Sequence, residues 1–143
     1  MRKLVACLAL ALGGCVSAGP PEGTAFIEVY SGSGFSGFNR TVIYADDSFL
    51  VESAGPGDQD RRTSRSQGPD GVYHRVAALV AAEGPKVRRQ MTGEDDLGAC
   101  LDYGSDLVRA EPAVGGFDQV AASCPEPALL AFIQRVLGAI PEP

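Results

Sequence analysis

Basic residues, histidine and long apolar runs are all scarce in this sequence, and each scarcity closes off a class of function. Lys and Arg number 12 against 18 Asp and Glu, a formal net charge of −6. Without a basic stripe the electrostatic footprint of a nucleic-acid binder is missing, and so is a polybasic face for anionic lipid headgroups. His74 is the one histidine, so a zinc site built from several imidazoles and thiolates is not on offer. The longest apolar run, Leu4 to Leu12, has nine residues. A bilayer-crossing helix needs about 20, so this run is too short to span.

What is there begins with that run. Met1-Arg2-Lys3 supplies a charged start, Leu4 to Leu12 an apolar middle, and Gly13-Gly14 a small-residue end, the three regions of a secretory signal. Leu12-Gly13-Gly14-Cys15 resembles the lipobox of bacterial lipoproteins. The resemblance implies a signal peptide over residues 1–14, cleavage by signal peptidase II, and diacylglycerol on the Cys15 thiol. Further acylation of the new amino group would give the two or three chains that hold a protein persistently. Val16 stands where inner-membrane-retained lipoproteins of this kind carry Asp, which points to the cell envelope, at the outer membrane facing the periplasm. An ordinary signal peptide cut near an incidental cysteine is the alternative.

The four cysteines then divide without remainder. Cys7 leaves with the signal and Cys15 takes the lipid, so Cys100 and Cys124 remain in an oxidising compartment, where a lone pair forms a disulfide. Closing a loop of about 25 residues stabilises by roughly 3–4 kcal/mol in the chain-entropy model.

Residues 15–23 read as a tether, because Val16 to Gly23 is proline, glycine and small residues. From Thr24 the chain reads as a single domain, 24–143. Thr24 to Tyr30, Arg40 to Ala45 and Phe49 to Ser53 alternate as strands, the first two joined by a glycine-rich loop, Ser31 to Asn39. Gly55 to Gly68 is a polar loop, or else Thr63, Arg65 and Gln67 extend an edge strand. Asp70 is placed to cap a helix over Gly71 to Glu83, with Val72, Val76, Leu79 and Val80 on one stripe and Gly84-Pro85 as the stop. Leu101 to Glu111 and Phe117 to Ser123 form a hairpin. Pro127 opens a last helix whose Leu129, Phe132, Ile133, Val136, Leu137 and Ile140 keep helical spacing. The expected fold is α+β in the order β-β-β-α-β-β-α: an antiparallel sheet of about five strands with two helices packed on one face.

Motifs for chemistry are weak. Gly32-Ser33-Gly34-Phe35-Ser36-Gly37 matches the dinucleotide fingerprint in letters, but strands follow it, so no helix N-terminus receives a pyrophosphate. The nucleophile-elbow pattern fails for want of its second glycine. His74 with Asp70 one turn away is the only general-base pair in view, and an exposed helix-start histidine is the plainer reading. Glu94, Asp95, Asp96, Asp102 and Asp106 gather oxygen donors around Cys100, without EF-hand spacing. Arg61, Arg62 and Arg65 offer anion contacts or simple solvation. No catalytic residue, metal site or cofactor is assigned.

Tyr30-Ser31-Gly32-Ser33-Gly34-Phe35-Ser36-Gly37 is similar to the Arg-Ser-Gly-Gly-Phe-Ala-Gly stretch near the start of emfourin-type inhibitors, small proteins that block thermolysin-like metalloproteases. The likeness runs over residues 26–53. Tyr30 stands where that family has arginine, and Ser33 is an insertion. It implies that Gly32, Gly34, Phe35, Gly37 and Phe38 form a partner-binding loop. The sequence is therefore read as a non-enzymatic envelope lipoprotein held to the membrane through Cys15, whose domain binds a periplasmic protein. The alternatives are a metalloprotease inhibitor and an envelope enzyme of unknown class.

Overall fold

The computed structural model describes residues 22–33, 35–91, 100 and 104–141. The signal, the Cys15 anchor site and most of the expected tether lie outside the described residues, as do Gly34, Glu94, Asp95, Asp96 and Asp102. Six strands form one antiparallel sheet: β1 (Phe26–Ser33), β2 (Gly37–Tyr44), β3 (Ser48–Ala54), β4 (Arg62–Gln67), β5 (Ser105–Val114) and β6 (Phe117–Ala122). Their spatial order is β4-β3-β2-β1-β5-β6. The first four make a meander. Helix α1 (Val72–Gln90) then carries the chain back across the sheet so that β5 pairs with the free side of β1, and α2 (Pro127–Gly138) closes the domain. The α+β architecture with two helices is thus as expected, with one strand more. That strand is β4, the edge strand offered for Thr63, Arg65 and Gln67 as the alternative to a polar loop: its six residues are all exposed, and pairing with β3 makes it a strand.

Register decides which side of each strand meets the helices. Ile27 pairs with Ile43 and Ala110, Val29 with Val108, and Val108 with Val120. These side chains join Val76, Val80, Val87, Leu129, Phe132 and Val136 in one core. A buried aliphatic side chain contributes about 1.5–3 kcal/mol relative to exposure. This face therefore drives folding. The helices contact each other and β5 and β6, while α1 also reaches β1. Their bodies lie over that half of the sheet, and Val51 on β3 is left 43 % exposed.

Three expectations are corrected. First, α1 does not stop at Gly84-Pro85 but runs to Gln90 with Pro85 inside it. A proline mid-helix costs about 3 kcal/mol or more, yet the buried stripe continues from Val76 and Val80 through Gly84 to Val87. Gly84 is there because a Cβ would collide with the ring of Phe117, which is fully buried and meets Phe132 edge-on at 6.2 Å. Second, Asp70 does not cap α1. The cap comes from Asp47 in the β2–β3 turn, whose Oδ2 accepts the Gly71 N–H at 2.7 Å and whose Oδ1 accepts the Tyr73 N–H at 2.8 Å. Those two bonds hold the Asp47 carboxyl below the ordinary carboxylate range. Third, the glycine-rich stretch is not a nine-residue loop. β1 continues to Ser33 and β2 starts at Gly37.

The same turn fastens the end of β4. The Gly68 N–H donates to the Asp47 carbonyl at 2.8 Å and Gln67 Nε2 to the Asp46 carbonyl at 2.8 Å. At the other edge, the Cα atoms of Cys100 and Cys124 are 5.2 Å apart, at disulfide distance. They tie the segment leading into β5 to the residues just beyond β6. Among the described residues no helix is long and apolar enough to cross a membrane.

Candidate functional site

The β1–β2 hairpin is the most prominent candidate. Its base is a close approach of backbones. Gly32 (φ 146°) faces Phe38, and a Cβ there would strike the Gly37 carbonyl. Gly37 (φ 85°) lies as tightly on the Ala54 carbonyl, and Gly104 on that of Gly32. Only glycine combines these positive angles with such contacts. Just above the base, the buried Ser33 Oγ accepts the N–H groups of Phe35 (3.2 Å) and Ser36 (3.0 Å) and lies 2.9 Å from Ser36 Oγ. A serine hydroxyl bonding the next backbone donors is a turn-forming device. Phe35 sits on this turn with 76 % of its surface exposed, the largest exposure among the large apolar residues of the described chain.

The expected loop residues therefore separate. Gly32 and Gly37 build the hairpin base, Phe35 forms its tip, and Gly34 lies outside the described residues. Phe38 turns to the sheet face away from the helices, where it stacks on Tyr30 at 5.7 Å with the Arg61 guanidinium 5.5 Å over its ring.

That face carries a feature the sequence reading missed. Arg109, Glu28, Arg40, Glu52 and Arg61 form a continuous charge ladder across β5, β1, β2, β3 and the approach to β4. Arg109 Nη2 and Arg40 Nε both reach Glu28 at 2.6 Å, Arg40 Nη1 reaches Glu52 at 2.7 Å, and Arg61 stands 3.5 Å from Glu52. Arg109 closes the other end with its guanidinium 5.0 Å over Phe26. The Arg40 hydrogen bond lowers the Glu52 carboxyl pKa. Around Arg40, burial alone would lower the pKa, but the bonds to Glu28 and Glu52 outweigh it and raise it. Every carboxylate has a cationic partner, so the ladder organises the sheet rather than presenting reactive groups. A signal was present: Glu28, Arg40 and Glu52 follow one another at intervals of 12 residues, on three successive strands.

The remaining candidates do not assemble. His74 is exposed on the first turn of α1, its ring 5.8 Å from that of Tyr73, and neither it nor the Asp70 carboxyl makes a described hydrogen bond. Asp106, the described member of the acidic group, is buried in β5 and accepts the Ser31 hydroxyl at 2.5 Å. Among the described residues no group of three or more metal-ligating side chains occurs. Arg62 and Arg65 are exposed along β4. Comparison of the chain with protein-family models, with curated proteins and with solved structures returns no match.

Proposed function

We propose that this chain is a lipid-anchored envelope protein, held at the outer membrane through Cys15, whose domain binds a periplasmic protein with the tip of the β1–β2 hairpin. The observation that carries the reading is Phe35: a large apolar side chain held out by a stiff turn rather than on a slack loop. Pre-organisation of this kind reduces the ordering cost of association, and buried aromatics are the usual anchors of protein interfaces. The leader supports the location, and the Cys100–Cys124 pair suits an oxidising compartment.

A photo-crosslinking phenylalanine analogue at position 35, in cells expressing the full chain, should give a discrete protein adduct. The same analogue at exposed position 121 should not. No adduct at position 35 would remove the hairpin tip as the contact. The anchor has its own test: Cys15→Ala should shift the protein out of the membrane fraction, and unchanged partition refutes it.

The hairpin also favours a second reading, inhibition of a thermolysin-like metalloprotease, because a narrow turn bearing one apolar side chain fits an enzyme cleft. Stoichiometric inhibition that disappears in Phe35→Ala supports it. Full protease activity at excess protein excludes it.

A further inference from the structure

The two edges of the sheet are finished differently. On β6, Arg88 bonds the Asp118 carboxylate and donates to the Gln119 carbonyl at 2.5 Å, so a side chain occupies that edge. On β4, pairing with β3 uses one side only, and every second residue turns its N–H and C=O outward. No hydrogen bond among the described residues uses those outward groups. Beside this edge, on the helix side, lies a cavity of about 450 Å³. Phe49 and Val51 of β3 form its floor, Ser64 and Ser66 of β4 its outer rim, and Ile140 and Pro141 beyond α2 its far wall. Register explains the alignment: Phe49 pairs with Ser66 and Val51 with Ser64, so all four side chains share one face. The size falls within the range of ligand pockets, about 300–1,000 Å³.

We propose that β4 and this cavity form a second binding site, for an extended peptide segment of a partner protein that pairs with β4 as a seventh strand. Side chains two residues apart on that strand would project over Ser64 and Ser66 into the cavity, so they should be apolar. The next position on the same face comes beside Arg62, which, like Arg65, is exposed and makes no described ion pair, so that position should be acidic. Strand addition of this kind takes affinity from the backbone and specificity from alternate side chains. A second copy of this chain fits less well. Antiparallel pairing of β4 with itself sets Arg62 and Arg65 of both copies along one short ladder, and like charges across strands destabilise it. The inference is independent of the hairpin reading, since it uses none of its residues.

The probe is the fluorescein-labelled peptide Glu-Thr-Ile-Thr-Ile-Thr-Glu, which presents the same pattern in either strand direction. Binding to the full chain is followed by polarisation, and its location by hydrogen–deuterium exchange. Saturable binding is expected below about 1 mM, the weak end of useful affinity, with new protection of β4. Val51→Glu, which places a charge on the cavity floor, and Arg62→Glu with Arg65→Glu should each weaken it at least about tenfold, and Phe35→Ala should leave it unchanged. All these positions are solvent-exposed, and equal thermal midpoints would confirm that the variants fold. Four results overturn the proposal: no binding at that concentration, protection elsewhere than β4, equal binding of a peptide with Lys in place of both Glu residues, or concentration-dependent self-association through β4 instead.

Discussion

Replacing Asp47 by alanine removes both acceptors from the start of α1. The Gly71 and Tyr73 N–H groups, at 2.7 and 2.8 Å from the carboxylate, are then left to water or to nothing. An N-cap side chain contributes about 1 kcal/mol, up to 2 in folded proteins. A negative charge at a helix N-terminus adds roughly 0.3–1 kcal/mol. Asp47 also has φ 63°, a left-handed conformation that costs alanine more than aspartate or asparagine, on the order of 1 kcal/mol. Together these give a loss of about 2–4 kcal/mol. Asp47→Asn keeps one acceptor and the tolerance for positive φ, so about 1 kcal/mol is expected. At roughly 2–4 °C per kcal/mol for a domain near this size, the alanine variant should melt about 5–15 °C lower by circular dichroism, and the asparagine variant only a few degrees lower. The folded carboxyl titrates below its unfolded value. Its contribution is therefore complete above the unfolded pKa of about 4 and is lost as pH falls through the folded one. The gap between wild type and Asp47→Asn should thus narrow on acidification. A gap that stays constant from neutral pH to below pH 3, or an alanine variant as stable as wild type, would refute the reasoning.

Three other perturbations have expected outcomes. Gly84→Ala gains helix propensity of about 1 kcal/mol but drives a methyl into Phe117, and overpacking costs about 1–3 kcal/mol. Net destabilisation in urea unfolding is expected, and stabilisation would show that the Phe117 ring moves aside freely. Glu28→Ala strips the 2.6 Å partners from both Arg40 and Arg109. Their partial exposure lets water replace part of the loss, so about 1–3 kcal/mol is expected rather than the 3–5 of a fully buried pair, and a neutral result would mean that the ladder is ornamental. Thiol titration of the protein purified without reductant should find no free thiol at Cys100 or Cys124. Cys100→Ala with Cys124→Ala should cost roughly 3 kcal/mol, and two reactive thiols in the wild type would refute the pairing.

Much of the fold was legible because most strands carry their own pattern. Ile27 and Val29, or Val42 and Ile43 beside Thr41, mark strands whatever their partners. The last helix was equally plain, since its apolar spacing and Pro127 agree. What escaped depended on contacts between distant residues. Asp47 lies 24 positions before Gly71, so Asp70, adjacent in sequence, looked the better cap. Gly84-Pro85 carries every local sign of a helix stop, but the buried stripe runs on to Val87 and the glycine is explained by the Phe117 ring packed on it. The polar Arg62–Gln67 stretch read as either a loop or an edge strand, because an outer strand with no buried residue has no apolar alternation to decide between them. For the candidate site, glycine and phenylalanine marked the connection between β1 and β2. Which aromatic points outward followed from pairing: Ser33 stands opposite Gly37 and Gly32 opposite Phe38, which puts Phe38 on the sheet and leaves Phe35 at the turn.

The asymmetry of the two outer strands bears on how this molecule behaves in a crowd. A sheet with two bare rims can recruit copies from both sides and grow into a fibril. Here Arg88 sits across the β6 rim at Gln119, and among the described residues β4 is the rim whose outward groups have no bonded partner, so strand addition has one side to use. With the arginines of β4 repelling a second copy of the same strand, that rim takes up a foreign segment without seeding a growing stack.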